Sequence, residues 1–212
     1  MPPAVQPWIA VTRGVDLPPN AESLVQTAFE DGATWWRKQM NRTFAVAPTV
    51  VHRSDHTFDE LRKKHGEQQN IWFALQREAH DAGLLQNCDP ERAHYMVGLG
   101  GEMGGGMVGS ENFGCSHILP GKAAITGGFA YVLLSLDPTA YGHPAQPWFA
   151  SERRQATGAL MHELGHVFGD GVKHPLDHTS DDKNLMYGWW NWPDATFTPG
   201  QIAQLGGSPF LR

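Results

Sequence analysis

Residues 162–166 read His-Glu-Leu-Gly-His, and they lie in a stretch of small and apolar residues that predicts a buried helix from about 151 to 168. Gly169 follows this stretch and is a typical residue to end a helix. Side chains four positions apart lie one turn above each other on a helix, so His162 and His166 share one face. The motif therefore requires a helix at this point of the chain, with two imidazoles side by side.

Two imidazoles on one helical face can both bind one Zn²⁺, at ~2.0–2.1 Å from each ligating nitrogen. Glu163 follows the first histidine and is the candidate general base, since it can hydrogen-bond a water at the metal without being a ligand itself. The same five-residue pattern also arises by chance, as two surface histidines on a helix. Gly169 and the histidines beyond it, His174 and His178, favour the zinc interpretation because a sharp turn could return a third ligand.

The segment 162–169, HELGHVFG, resembles the opening of the metzincin zinc-peptidase motif HExxHxxGxxH. The third histidine of that family would fall at position 172, which is Val172 here. His174 could take its place if the loop is two residues longer. Alternatively, an insertion of residues 170–175 makes His178 the third ligand, and this is the preferred prediction.

The residues after the insertion are the reason for preferring His178. Residues 176–187 read LDHTSDDKNLMY, which is similar to the segment that joins the third ligand to the Met-turn in the matrixin branch. In that branch a methionine follows the third histidine by eight residues, as Met186 follows His178 here. The resemblance implies that Met186 is the Met-turn residue, a soft apolar floor beneath the metal. Gly188 stands where other branches carry a ligating tyrosine, so no tyrosine ligand is predicted.

The rest of the chain is compatible with the order of elements in that family. Before the motif, periodicity and breaker residues predict strands at 9–12, 49–52 and 129–136. They predict helices at 21–40 and 57–82, the second with Gly66 as a candidate break. The resemblance implies an α+β (mixed α/β) fold, a twisted mixed sheet with backing helices, an active-site helix and a small C-terminal subdomain. We expect a single catalytic domain over 1–212, divided into an N-terminal subdomain at 1–169 and a C-terminal subdomain at 170–212.

The resemblance also implies where a substrate would bind. In metzincins the lower wall of the cleft follows the Met-turn, so Trp189, Trp190 and Trp192 could line a pocket for an apolar side chain. Packing of these rings against the small subdomain is an equal alternative. An edge strand from Ala123 to Tyr131 is predicted to pair with an extended substrate backbone.

Composition narrows the remaining classes. The net charge of −6 provides no basic field for nucleic acid, and no apolar run approaches the ~20 residues of a membrane span. Cys88 and Cys115 are not in a CxxC pair, so we expect no cysteine zinc site; one disulfide or two buried thiols are both open. Calcium is possible but not predicted at the acidic run Asp177, Asp181 and Asp182, which lacks the EF-hand pattern.

Together these features predict a secreted, monomeric zinc endopeptidase that holds one Zn²⁺ ion and acts on protein or peptide substrates. The first residues, MPPA, lack the features of a signal peptide, so either the protein stays inside the cell or the chain is a secreted mature form with an added Met. One alternative is a zinc-containing binding or adhesion domain, against which Glu163 argues because a structural zinc site needs no base. Another is a zinc hydrolase of a different fold, with Asp170 or Asp177 as third ligand.

Overall fold

The computed structural model describes residues 3–17, 19–66, 68–84, 92–99, 107–111, 129–134, 154–168, 176, 178–188, 191–208 and 210–212. The strands in this part of the chain are β1 (Ala4–Val11), β2 (Ala45–Val46), β3 (Val50–Arg53), β4 (Arg92–Leu99), β5 (Met107–Glu111) and β6 (Phe129–Leu134). The helices are α1 (Ala21–Met40), α2 (Phe58–His65), α3 (Gln68–Asp81), α4 (Arg154–Phe168) and α5 (Pro199–Leu205). None of these helices is both long and apolar enough to cross a bilayer.

The described strands form one mixed sheet in the order β2-β1-β4-β6-β5, with β3 also paired to β1. β1 is parallel to β4 along its whole length, from Ala4 opposite Arg92 to Val11 opposite Leu99. Every residue of β1 except Gln6 is buried, which is typical of a strand with neighbours on both sides and helices on its faces. The predicted mixed α/β class, with a mixed sheet and backing helices, is confirmed.

The predicted position of the sheet edge is wrong where it can be compared. Phe129 to Tyr131 belong to β6, which is hydrogen-bonded to β4 on one side and to β5 on the other. At the β5 end of the described sheet the edge is therefore β5, which runs antiparallel to β6. The prediction failed because strand order depends on long-range pairing, which a single strand-forming segment does not reveal. Residues 123–128 lie outside the described part.

The helices before the motif follow the sequence closely. α1 has the predicted bounds and buries Val25, Phe29 and Trp36 as expected. The region predicted as 57–82 is two helices, because a capping box between Thr57 and Glu60 begins α2 and Gly66, with φ of 84°, ends it.

An aromatic cluster joins α1, the end of α4 and the C-terminal segment. The ring of Trp36 lies 5.2 Å from that of Phe168 and 5.0 Å from that of Phe197, measured between centroids. Phe168 also stacks on Phe210 at 5.9 Å. One hydrophobic core thus contains residues from both sides of position 169, where the sequence predicts a subdomain boundary; the division itself stays a prediction.

The crossing of α1 and α4 depends on a glycine. A methyl group at Gly32 would overlap the sulfur of Met161, a fully buried residue of α4. We predict that Gly32→Ala lowers the free energy of unfolding by about 1–2 kcal/mol, since overpacking outweighs the helix propensity that alanine adds. Urea denaturation measures this change.

Two comparisons test the reason for that loss. Gly200→Ala, in α5, is the matched control, because the nearest atom to a methyl there is Thr198 Oγ1 at 3.9 Å. It should be neutral or slightly stabilising. In a Met161→Ala background, Gly32→Ala should no longer destabilise, because the sulfur is gone. An equal loss in both backgrounds would show that the overlap is not the cause.

Candidate metal centre

α4 carries the His-Glu-Leu-Gly-His motif through the protein interior. Leu160, Met161 and Leu164 are fully buried, and they hold the helix against the core. His162 is only 2% exposed and Glu163 only 4% exposed, although both are polar. The alternative of two surface histidines on a helix is therefore excluded.

The structure brings His162, His166 and His178 to one point. The Nε2 atom of His162 lies 3.1 Å from Nε2 of His178 and 3.3 Å from Nε2 of His166. Among the described residues these three form the only group of histidine, cysteine or acidic side chains with ligand atoms all within 4.8 Å of one another. His162 is buried, His166 is partly buried and His178 is exposed, so the group is open to solvent on one side.

Backbone carbonyls fix which nitrogen of two imidazoles carries the proton. Nδ1 of His162 lies 2.7 Å from the carbonyl oxygen of Leu185, and Nδ1 of His166 lies 2.5 Å from that of Leu176. A carbonyl oxygen can only accept a hydrogen bond, so each Nδ1 must be the donor. In the neutral ring Nε2 then has a free lone pair, and both lone pairs point to the shared centre.

This arrangement fits a metal ion. Nε2 of His162 and Nε2 of His166 both lack a proton, so they cannot hydrogen-bond to each other. Only a cation or an added proton between these two atoms would make their approach favourable. Nitrogens bound to one tetrahedral Zn²⁺ at ~2.05 Å would be about 3.3 Å apart, close to the 3.1 and 3.3 Å found here. The three histidines could therefore hold a metal ion.

Burial keeps the two α4 histidines neutral. Desolvation is the main cause that lowers the pKa of His162 from 6.5 to about 4, and the charges of His166 and His178 lower it further. The pKa of His166 is lowered to about 4 for the same main reason. The hydrogen bonds to the Leu185 and Leu176 carbonyls act in the opposite direction but are outweighed. Both rings are thus neutral at pH 7, with the proton on Nδ1 and none on Nε2, the state in which imidazole binds a metal.

Glu163 lies beside the histidine group without being a member of it. Its Oε1 is 3.8 Å from Nε2 of His162, and Glu163 does not belong to the group that could share a metal. A carboxylate at this distance can reach a molecule bound at the centre of the group.

Of the histidines proposed as third ligand, the structure describes only His178. Its segment is held to the turn at 184–187, since the backbone N–H of Thr179 contacts the carbonyl of Met186 at 3.4 Å. His174 lies outside the described residues, as do Asp170 and Asp177, so the choice of His178 as ligand stays a prediction supported by its position.

Met186 lies under the motif helix, where the sequence expects a Met-turn residue. It is fully buried, and its sulfur lies 2.5 Å from the point that a methyl group on Gly165 would occupy. Glycine at position 165 therefore allows Met186 to pack against the backbone of α4, between the two histidines of the helix. Its role as a Met-turn residue stays a prediction.

The proposed substrate pocket is described only in part. Trp192 is partly buried and packs against the hydrophobic core, while Trp189 and Trp190 lie outside the described residues. Asp181 and Asp182 are exposed, and Asp181 accepts a hydrogen bond from the backbone N–H of Lys183 at 3.0 Å. Asp177, the third residue of the acidic run, lies outside the described residues, so the calcium alternative stays open. Cys88 and Cys115 also lie outside the described part.

The sequence did not reveal the groups that orient His162 and His166. The carbonyls of Leu176 and Leu185 are backbone atoms, and no residue pattern marks them. Asn184 is fully buried and hydrogen-bonds to Gln201, which is also part of a capping box with Thr198. The Thr-Pro-Gly-Gln pattern of that box was readable in the sequence, but its contact with residue 184 was not.

The lowered histidine pKa values predict that the metal-free protein loses stability in acid. The unfolded chain takes up protons near the ordinary histidine value of 6.5, while His162 and His166 in the folded protein stay neutral down to about pH 4. The contribution of these two neutral rings to the free energy of unfolding is therefore fully present above pH 6.5. It is lost as the pH falls to about 4, and the loss is on the order of a few kcal/mol. Urea denaturation of chelator-treated protein across this range measures the effect.

Variants separate this effect from the titration of other groups. His162→Gln removes one of the two groups and should give a shallower dependence on pH than the wild type. His65→Ala, in α2, is the control and should keep the wild-type slope. Equal slopes for His162→Gln and the wild type would contradict the prediction.

Comparisons with known proteins identify the fold. No family model and no curated protein matches the chain. Catalytically inactive OgpA from Akkermansia muciniphila, in complex with an O-glycopeptide (glycodrosocin) substrate, matches with a TM-score of 0.55 and 15% identity, over 99% of this chain and 62% of that one. Wild-type OgpA matches with a TM-score of 0.56 and 15% identity, over 98% and 61%. The chain spans about three fifths of the length of OgpA and shares its fold.

Proposed function

We propose that this protein is a zinc-dependent endopeptidase of the metzincin type. One observation carries the proposal: three histidine Nε2 atoms meet beside a buried carboxylate, and backbone carbonyls direct two of their lone pairs to the same point. The spacing from His178 to Met186 gives a similarity to the matrixin branch. A set of imidazole ligands suits Zn²⁺ among the biological cations.

The openness of the site favours catalysis over a structural role. A structural zinc ion is surrounded by four protein ligands, whereas a catalytic one keeps a position for water or substrate. Among the described residues, only three groups could share the ion, and the third, His178, is exposed. Solvent and substrate can thus approach from the side of His178.

The residues of the chain then divide the work of hydrolysis. A divalent cation held by the three histidines would supply Lewis acidity, which lowers the pKa of water and polarises a carbonyl. Glu163 takes the proton of the attacking water at its carboxylate and delivers it to the leaving amine. Burial of Glu163 favours this transfer, because few other waters compete for the carboxylate. The hydrogen bond to Leu185 holds His162 in the tautomer that leaves Nε2 free.

The sheet offers a place for the substrate backbone. β5 is an edge strand of the described sheet, and α4 packs against both β5 and β6. We place an extended peptide along the side of β5 that faces away from β6 in the described sheet, where backbone hydrogen bonds would bind it without a fixed sequence. This replaces the edge expected at residues 123–131.

Substrate class and location follow as part of the proposal. OgpA has been crystallised with an O-glycopeptide substrate, so peptides with O-linked sugars belong in any substrate screen beside plain peptides. At 15% identity the preference for sugar does not transfer, and we propose peptide substrates in general. A secreted, monomeric enzyme is the form in which we expect this activity.

Replacement of the base tests the mechanism. We predict that Glu163→Gln lowers kcat by about 10²–10⁴-fold and leaves the metal content unchanged, because general base catalysis is lost while all ligands stay. Cleavage of a library of matched peptides, with and without O-linked sugar on Ser and Thr, is followed by mass spectrometry with Zn²⁺ present.

A matched substitution controls for the change of residue type. Glu60→Gln, in the exposed capping box of α2, keeps the cap and should retain full activity. Full activity in Glu163→Gln would refute the assignment of the base. A wild-type protein that binds zinc but cleaves no peptide in either set would favour a binding domain instead.

The ligand set is tested separately by metal content. We predict that His178→Ala retains less than about a tenth of the zinc of the wild type after dialysis, because an open site with two imidazoles binds weakly. His174→Ala and the control His65→Ala should both keep one zinc ion per chain. Loss of zinc in His174→Ala with retention in His178→Ala would reverse the assignment of the third ligand.

A further inference from the structure

The side-chain amide of Asn184 is buried next to the peptide group that hydrogen-bonds to His162. Asn184 is fully buried, and its Oδ1 accepts a hydrogen bond from the backbone N–H of Met186 at 2.9 Å. Its Nδ2 donates to Oε1 of Gln201 at 2.6 Å. The side chain therefore joins the turn at 184–187 to the first turn of α5.

The hydrogen bond from Met186 acts on the same peptide group that contacts the ligand. The N–H of Met186 and the carbonyl of Leu185 belong to one planar peptide unit, so the direction of one fixes the direction of the other. That carbonyl accepts the Nδ1 proton of His162 at 2.7 Å. Asn184 thus holds one end of the peptide plane while His162 contacts the other end.

The orientation of both amides follows from backbone donors at the two ends. Oε1 of Gln201 also accepts the backbone N–H of Thr198 at 2.9 Å, so this atom must be the oxygen. Asn184 must then present its NH₂ group to Gln201 and its oxygen to Met186. From His162 to α5 every group donates toward Gln201: His162 to the Leu185 carbonyl, the Met186 N–H to Asn184, and Asn184 to Gln201. Oε1 of Gln201 ends the chain, because it accepts from Asn184 on one side and from the Thr198 N–H on the other.

We infer that Asn184 and Gln201 are positioning residues for His162, which keep the Leu185 carbonyl aimed at its Nδ1 and so keep Nε2 free for the metal. The inference rests on the proposed function, since that function makes His162 a ligand. Replacing a residue that orients a ligating histidine through its second nitrogen typically weakens metal binding by ~10–100-fold. The same hydrogen bonds also connect the capping box of α5 to the histidine group.

Isosteric variants interrupt the chain at two places. Asn184→Asp keeps an acceptor for Met186 but sets a carboxylate oxygen against Oε1 of Gln201, where two acceptors repel. Gln201→Met removes the acceptor for both Asn184 and Thr198. We expect each variant to raise the Kd for Zn²⁺ by about tenfold or more, measured by competition with a chromophoric chelator.

Two controls show whether the effect is specific. Gln201→Glu still accepts the hydrogen bonds of Asn184 and Thr198, so its Kd for Zn²⁺ should lie within about twofold of the wild-type value. Gln26→Met, in α1, also removes an amide oxygen with two hydrogen bonds, from Thr49 N–H and Thr49 Oγ1. It should lower Tm without changing the Kd. A simple loss of stability would make Gln201→Met behave like Gln26→Met.

A measurement on the metal-free protein makes the test independent of activity. Long-range ¹H–¹⁵N NMR at neutral pH should show His162 with its proton on Nδ1 in the wild type, and a mixture of tautomers in Asn184→Asp and Gln201→Met. Wild-type Kd and an unchanged tautomer in the folded variants would overturn the inference. If the wild type binds zinc but cleaves no peptide, only the proposed function is lost. If it binds none, the tautomers alone decide.

Discussion

Two hydrogen bonds, from His162 to the Leu185 carbonyl and from His166 to the Leu176 carbonyl, are the constraint on which the site depends. A neutral imidazole has one donor and one acceptor nitrogen, and these carbonyls assign the donor in both rings. Without them, either nitrogen of each ring could carry the proton, and a proton on Nε2 would block the shared centre. The helix supplies the spacing of the two rings, but the carbonyls determine their chemistry.

Those carbonyls belong to irregular segments, so their positions must come from packing rather than from a helix or a strand ladder. Leu176, Leu185 and Met186 are almost completely buried, and each side chain fixes the backbone that carries it. Two backbone hydrogen bonds join this turn to Thr196: the Leu185 N–H donates to the Thr196 carbonyl at 3.1 Å, and the Thr196 N–H donates to the Lys183 carbonyl at 2.9 Å. Trp35 extends this support by donating its indole N–H to the carbonyl of Pro193 at 2.8 Å. The hydrophobic core therefore holds in place the backbone carbonyls that accept the hydrogen bonds of His162 and His166.

The sequence predicted what depends on local spacing. The bounds of α1 and the motif helix follow from periodicity. The meeting of His178 with the motif was expected from the resemblance of residues 176–187 to a known segment, with His174 as the alternative. The order of the strands did not follow, because Phe129 to Tyr131 have the same strand propensity at an edge or in the interior. The hydrogen bond between Asn184 and Gln201 could not be predicted either, since it joins residues 17 positions apart and depends on tertiary packing. No strand bounds were predicted between residues 83 and 122, where the structure describes β4 and β5.

One turn of α4 contains three residues that a helix designed for stability alone would avoid. His162 and Glu163 are polar and nearly inaccessible, and burial of such groups is unfavourable unless they are paired. Gly165 weakens a helix by about 1 kcal/mol relative to alanine, yet its missing methyl is what allows the sulfur of Met186 to approach. Local departures of this kind concentrate at functional sites, where the surrounding structure compensates for them. All three lie around one point: His162 contacts His178 and the Leu185 carbonyl, Glu163 lies 3.8 Å from His162, and Gly165 gives room to Met186. Stability of the helix therefore does not account for these residues, whereas the histidine group that could hold a metal ion does.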